Sequence, residues 1–163
     1  MNIRLAEDGG VQMDDIDEFA AMLLRELPGI ATTDDDRANA RIYQSPTGGK
    51  DGEIDEDWRE NVEPELHDLF ANAVDMVVDD LAAMKPDELD ELVLRIPPRH
   101  LDPWLHTLNI ARLALGEIWD VTQEDMESRY GSANGDPERT MAVLKIDFYG
   151  MLMEFLIRLK WED

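Results

Sequence analysis

Apolar residues recur three and four positions apart in four long segments of this chain, and no other feature restricts the fold as strongly. The segments cover roughly residues 16–27, 66–84, 104–118 and 137–160. This spacing places apolar side chains on one face of an α-helix, whereas a half-buried strand needs them at alternate positions. Residues 1–163 are therefore predicted to fold as a mainly α, single-domain bundle of about five or six helices.

Polar caps and prolines indicate where these helices begin and end. Asp15 is expected to cap the first helix, which should end at Pro28. Pro64 suits a first helical turn, so any helix before it should be kinked or separate. Asp102 and Thr122 are the expected caps of two later helices.

The N-terminal residues alternate between apolar and polar, which is typical of strands. Ile3 and Leu5 precede an Asp-Gly-Gly turn, and Val11 and Met13 follow it, so this segment is predicted to form a β-hairpin. Residues 92–96 also have the pattern of an extended segment. They would pair with the hairpin to give a small three-stranded sheet beside the helices.

Residues 30–57 contain few apolar side chains and are predicted to form a flexible acidic loop. Within this stretch, Tyr43 is expected to dock on the body of the protein while the flanking residues stay loose. Gly48-Gly49-Lys50 is superficially similar to a phosphate-binding loop but lacks the earlier glycine that such a loop requires. A shorter loop is expected at residues 130–135.

The chain is strongly acidic, with 38 acidic and 15 basic residues and a formal net charge of -23. This charge repels nucleic-acid backbones and anionic membranes, and it favours cations or a basic protein partner. The alternative is that the acidity serves only solubility or salt tolerance.

The lack of cysteine excludes zinc–thiolate sites, disulfides and thiol nucleophiles. With neither a secretory signal nor a membrane-length apolar run, a soluble cytoplasmic protein is expected.

No catalytic or metal-binding motif is found among the ionisable residues. His67, His100 and His106 all lack a Glu three positions earlier, which excludes a di-iron carboxylate bundle. Glu63 and His67 could share a metal, although a histidine at the core edge is favoured. The acidic run at 51–57 lacks the glycine and the final acid of a calcium loop. We therefore predict no catalytic residue, no metal and no cofactor.

Asn109, Arg112 and Gly116 stand three and four positions apart, so they share one face of a helix. One interpretation is a site for an anion or a peptide carboxylate that uses the Arg112 guanidinium. The other is a polar network in which Arg112 pairs with an acid at the core edge and a second helix approaches Gly116 closely. The structural interpretation is favoured, because buried polar groups are hydrogen-bonded far more often than they bind ligands.

Several motifs resemble the bacterial domain-of-unknown-function family DUF2017, which is common in actinobacteria. In chain order the motifs are Leu23-Leu24-Arg25-Glu26-Leu27, Tyr43-Gln44-Ser45-Pro46, Trp58-Arg59, Trp104, Leu108-Asn109, Arg112-Leu113-Ala114-Leu115-Gly116, and Tyr149, Leu152, Glu154 and Leu156. One departure is Ile110, where members commonly carry Asp. Tyr43, Trp58 and Arg59 are the candidate docking residues within these motifs. The resemblance implies no established activity, although some members are labelled transcriptional regulators and some of their genes lie near that of the Clp protease adaptor.

Together these observations favour a non-enzymatic, adaptor-like interaction or accessory protein in the cytoplasm. The alternative is a small-ligand or anion-binding protein, or an enzyme, that uses Arg112 and Asn109. A transcriptional regulator is the least favoured function because of the acidity. The last helix is apolar around much of its circumference, so it is either central in the bundle, which is favoured, or part of a homodimer interface.

Overall fold

The computed structural model describes residues 1–128 and 135–161, and within these ranges the chain is mainly α with one small sheet. The helices are α1 (Glu18–Ala31), α2 (Asp36–Ile42), α3 (Gly52–Asn61), α4 (Glu63–Ala82), α5 (Leu101–Ile118), α6 (Gln123–Glu127) and α7 (Pro137–Trp161). The strands are β1 (Asn2–Leu5), β2 (Val11–Ile16), β3 (Lys85–Pro86) and β4 (Leu92–Ile96). The predicted fold class is confirmed. Most of the loop expected at 130–135 lies outside the described residues.

The sheet is antiparallel and has the strand order β1-β2-β4-β3. The hairpin and its pairing with residues 92–96 are confirmed, and the two-residue strand β3 extends the sheet on the far side of β4. The turn uses Gly9 with a φ of 82°. At Gly10 a Cβ atom would lie 2.5 Å from the Ile96 carbonyl oxygen, so only glycine lets the two strands meet there.

The helix caps expected at Asp15 and Asp102 are wrong, whereas the last helix begins at Asp136-Pro137 as predicted. Asp15, with a φ of 51°, belongs to β2, and Asp17 caps α1 instead by accepting a 2.8 Å hydrogen bond from the Ala20 amide. Helix α5 begins before Asp102, directly after a 3₁₀ turn, and the Asp102 carboxylate accepts from Lys160 Nζ. The N-terminal ammonium of Met1 lies 3.4 Å from Asp15 Oδ2. Each carboxylate therefore pairs with a residue far away in the chain instead of capping a helix.

Of the other predicted helix boundaries, the end of α1 is wrong, whereas the start of α4 and the cap of α6 are confirmed. Helix α1 continues past Pro28 to Ala31, because the Pro28 carbonyl still accepts a 3.1 Å hydrogen bond from the Thr32 amide. Pro64 lies in the first turn of α4 and separates it from α3, as predicted. Thr122 caps α6 in a complete capping box, also as predicted.

Residues 30–57 are not irregular, since α1 extends into this stretch and α2 and most of α3 lie within it. The acidic residues supply the helix caps: Asp35 accepts from the Ala38 amide at 2.9 Å, and Asp51 accepts from the Ile54 amide at 3.2 Å. A carboxylate at such a position satisfies unpaired amides and interacts favourably with the positive end of the helix dipole. The mobility of this stretch stays a prediction.

Helix α5 is the centre of the bundle. It packs against α1, α2, α4 and α7, and its Trp104 is fully buried. The favoured central position of the last helix is wrong, because α7 buries one face around Tyr149 and leaves Met151 and Phe155 exposed on its outer side. No helix in the described ranges is long and apolar enough to cross a membrane.

Candidate functional site

A groove beside the central helix contains the asparagine, arginine and glycine that the sequence singles out. It has a volume of about 260 Å³ and lies where α5, α6 and α7 meet. Its lining residues are Asn109, Arg112, Leu113, Gly116, Val121, Thr122, Gln123, Met126 and Ile146. We call it the Arg112 groove. Spacing along one helix face is thus enough to bring the three predicted residues to one surface.

The Arg112 guanidinium has no carboxylate partner in the described parts of the chain. Its Nε atom is fully buried without an acceptor, and its Nη1 atom lies 3.6 Å from Met153 Sδ. Ile110 is buried and stands about 200° around the helix from Arg112, so an acid at that position would face away. The favoured prediction, in which Arg112 pairs with an acid at the core edge, is therefore wrong.

The Arg112 side chain lies against Gly150 of α7, whereas no other element comes close to Gly116. A Cβ at Gly116 would meet no atom within 4 Å from the rest of the described chain outside its own helix. A Cβ at Gly150 would lie 3.4 Å from Arg112 Nε and 3.5 Å from its Cζ, so the guanidinium rests against the bare backbone of α7. Sequence reasoning missed Gly150, whose one signal is a glycine inside an otherwise regular helix.

The buried acid close to the Arg112 groove is already paired. Asp125 accepts hydrogen bonds from the Thr122 amide and hydroxyl, both at 2.8 Å, and from Arg139 Nη2 at 2.5 Å. These bonds, from Thr122 first and then from Arg139, lower the pKa of Asp125 to about 2. The carboxylate therefore stays ionised and stays with Arg139, which leaves the groove with the positive charge of Arg112.

The candidate docking residues Tyr43, Trp58 and Arg59 line a different cleft, of about 450 Å³, between α2, α3 and α4. The Tyr43 ring stacks on His67 with the ring centroids 3.7 Å apart, so Tyr43 docks on α4 as expected. Burial, and next the charge of Glu63, raise the pKa of Tyr43. The stack fixes α2 against α4, while Arg59 is exposed at the cleft.

The turn at residues 45–49 binds an internal carboxylate. Asp55 is fully buried and accepts from the Thr47 amide at 3.0 Å and from the Gly49 amide at 2.7 Å. Burial raises the pKa of Asp55, but the hydrogen bonds from Thr47 and Gly49 outweigh it and hold the pKa below its usual range. The amides that could hold a phosphate are thus occupied, which agrees with the rejection of a phosphate loop at this position.

A buried histidine and aspartate also lie together, at the start of α5. His100 Nδ1 is 2.9 Å from Asp80 Oδ1, and Trp104 Nε1 donates to Asp80 Oδ2 at 2.9 Å. Arg99 Nε donates to His100 Nε2 at 3.2 Å, so the ring hydrogen is on Nδ1 and points at Asp80. A catalytic histidine would present Nε2 to a nucleophile. Here Arg99 takes that nitrogen, so the cluster connects α4 to α5.

Glu63 and His67, which could share a metal, have no further ligand beside them among the described residues. His67 Nε2 lies 3.5 Å from Glu63 Oε1. Across residues 1–128 and 135–161, no group of three or more His, Asp or Glu side chains is placed to hold a metal ion. The pair therefore has no third ligand in those ranges, and the Tyr43 stack covers the same histidine.

The outer side of α4 combines apolar and acidic side chains. Val62, Leu69 and Met76, at seven-residue intervals, are 39%, 50% and 38% exposed. From Glu63 to Ala82 the helix has six acidic residues and neither lysine nor arginine. We call this surface the α4 face. Sequence periodicity assigns Leu69 to the core side of the helix, and its exposure became visible only in the structure.

Comparison with known proteins adds one match. Residues 3–159 match the family described as "Domain of unknown function (DUF2017)". The matched segment includes the Arg112 groove, the α4 face and the Tyr43 cleft. No curated protein and no solved structure matches the chain. Any function must therefore be argued from the geometry of these surfaces.

Proposed function

The chain belongs to the DUF2017 family, and we propose that it acts in the cytoplasm as a non-enzymatic, adaptor-like accessory protein that binds a basic amphipathic segment of a partner protein. The α4 face is the observation that carries this proposal. Solvent-exposed large apolar side chains that form a row, rather than standing singly, are typical of interaction surfaces.

The spacing and the charges of the α4 face fit a helical partner. Residues seven positions apart return to nearly the same side of a helix, so Val62, Leu69 and Met76 form one line along α4. An amphipathic helix presents apolar side chains at matching intervals. The acidic side chains of α4, including Asp68 and Asp75, would attract lysine or arginine beside those positions.

The overall charge supports the same class of partner. A net charge of -23 accelerates association with a basic segment and opposes binding to DNA, which disfavours a transcriptional regulator. Acidity that serves solubility alone would not require an apolar row inside an acidic helix. The lack of cysteine agrees with a reducing compartment.

A designed peptide tests the proposal directly. The probe is a basic amphipathic helix of about 18 residues with leucine at heptad positions, compared with a scrambled peptide of the same composition by fluorescence anisotropy. We expect the ordered peptide to bind more tightly than the scrambled one. Leu69→Gln/Met76→Gln should weaken its binding about tenfold, which is about 1.4 kcal/mol.

The matched control is Leu5→Gln/Leu89→Gln, which removes two exposed apolar side chains away from α4. It should leave binding within about twofold, a change of less than about 0.5 kcal/mol. Equal binding of the scrambled peptide would show a purely electrostatic attraction and would refute the proposal. An equal loss in both double variants would do the same.

We further propose that α7 forms a homodimer contact, since Met151, Phe155, Ile157 and Trp161 are exposed on it. The helix has four basic and three acidic residues, so two copies of this acidic chain would repel each other less there than along the acidic helix α4. Sedimentation velocity should show a dimer that Phe155→Asp dissociates. A wild-type protein that stays monomeric at about 100 μM excludes an interface of useful strength.

A further inference from the structure

We propose that the Arg112 groove binds a carboxylate that is attached to a small apolar group. This second site contains no residue of α4, so it is separate from the proposed partner contact there. Six arginines in the described ranges, Arg4, Arg37, Arg41, Arg95, Arg139 and Arg158, form ion pairs with carboxylates.

Arg112 has no such partner among the described residues, although the chain has 38 acidic residues. Arg25, Arg59 and Arg99 have no ion pair with a carboxylate among the described residues either, but all three are exposed and are solvated by water. The Nε of Arg112 is instead fully buried against α7, where water does not reach it. The Nε of Arg139 is also buried without an acceptor, but the charge of Arg139 is paired with Asp125. Arg112 has neither an acceptor for Nε nor an acid for its charge among the described residues, and a buried unpaired donor is unfavourable, so its retention favours a role outside folding.

The position of the guanidinium is fixed before any ligand arrives. Its Nε edge rests on Gly150, and Nη1 lies 3.6 Å from the Met153 sulfur, which is a weak acceptor. Asn109, one turn earlier on the same helix face, is exposed, and its side chain makes no hydrogen bond within the described part of the chain. A planar guanidinium and a neighbouring amide match the two oxygens of a carboxylate.

The rest of the groove defines what the carboxylate is attached to. Leu113, Val121, Met126 and Ile146 supply apolar walls beside the charge. The volume of about 260 Å³ is below the roughly 300–1,000 Å³ of drug-sized pockets, so the apolar group is small. The net charge of -23 repels a multiply charged phosphate more strongly than a monoanion.

Two sources could present this chemistry, namely a free branched-chain acid and the C-terminal residue of a protein. The free-acid probe is isovalerate, and its uncharged control is isovaleramide. The peptide probe is Gly-Gly-Leu with a free C-terminus, and its control is the same peptide with an amidated C-terminus. Binding is followed by NMR through the Nε–Hε resonance of Arg112, assigned by its loss in Arg112→Gln.

We expect a saturable shift of this resonance with isovalerate or with the free peptide, and at least about tenfold weaker binding of the matching amide. Tighter binding of the peptide assigns the groove to a protein C-terminus, and tighter binding of isovalerate assigns it to a small acid. Both results support the shared chemistry. Inorganic phosphate should bind more weakly than either carboxylate.

Variants separate the groove from general charge effects. Binding measured by calorimetry should weaken at least about tenfold in Arg112→Gln and about threefold in the exposed-site variant Asn109→Ala. Arg25→Gln removes the same charge from α1 and should leave binding unchanged. The proposal is overturned if no probe gives a saturable shift, if the amides bind equally well, or if Asn109→Ala and a folded Arg112→Gln bind like the wild type.

Discussion

Replacing Arg112 with methionine should leave the protein at least as stable as the wild type. The substitution removes a fully buried Nε donor without an acceptor, a group that is unfavourable by about 1–3 kcal/mol. It also removes the weak contact of Nη1 with Met153 Sδ, while the methionine side chain retains most of the apolar stem. We therefore expect the free energy of unfolding to stay the same or to rise by about 1 kcal/mol.

The opposite interpretation gives a clearly different number. If Arg112 were one half of a buried ion pair, its removal would lower the free energy of unfolding by about 3–5 kcal/mol. For a chain of this length, 1 kcal/mol corresponds to about 2–4 °C in melting temperature. Guanidinium unfolding followed by circular dichroism, together with thermal melts, separates the two results.

Arg139→Met is the matched control. Arg139 lies on α7 and donates to the buried carboxylate of Asp125 at 2.5 Å, so this variant leaves an ionised acid without its cation and should be clearly less stable than Arg112→Met. A loss of more than about 2 kcal/mol in Arg112→Met would refute the argument that this arginine is unpaired. Equal losses in the two variants would contradict the contrast between them.

Three further outcomes follow from single contacts. Asp80→Ala should destabilise by about 3 kcal/mol in urea unfolding, because two buried donors lose their acceptor; a loss below 1 kcal/mol contradicts this. Gly10→Ala should lower stability by about 2 kcal/mol or more, since its Cβ would lie 2.5 Å from the Ile96 oxygen; an unchanged melting temperature argues otherwise. Asp125, with a folded pKa of about 2, stabilises the fold above its usual pKa near 3.8. This contribution disappears as pH falls from about 4 to 2, so Asp125→Asn should flatten melting temperature against pH there.

Most of the fold could be predicted from short-range patterns. The stripes that became α1, α4, α5 and α7 repeat within a few residues, and one turn of helix already determines which side chains share a face. Thr122 and the Asp-Gly-Gly turn likewise act on neighbours along the chain. The helices of residues 30–57 were missed because their apolar residues are too few to form a stripe.

The groove could be predicted only in part. Residue spacing placed Asn109, Arg112 and Gly116 on one face, which the structure bears out. The identity of the residue against the guanidinium, Gly150, depends on how α7 crosses α5, and no local pattern encodes that crossing. Whether an acid comes close enough to pair with Arg112 depends on the same crossing, so the sequence could not predict that either.

Hydrophobic periodicity and turn chemistry are local properties, so the order of the residues already predicts amphipathic helices with a small antiparallel sheet. Which charges meet depends on the folded arrangement of the chain. Arg139 reaches Asp125 across 14 positions, while Arg112 reaches no acid among the described residues. Charge pairing depends on distances of a few ångströms between segments far apart in the chain, and the folded arrangement sets those distances.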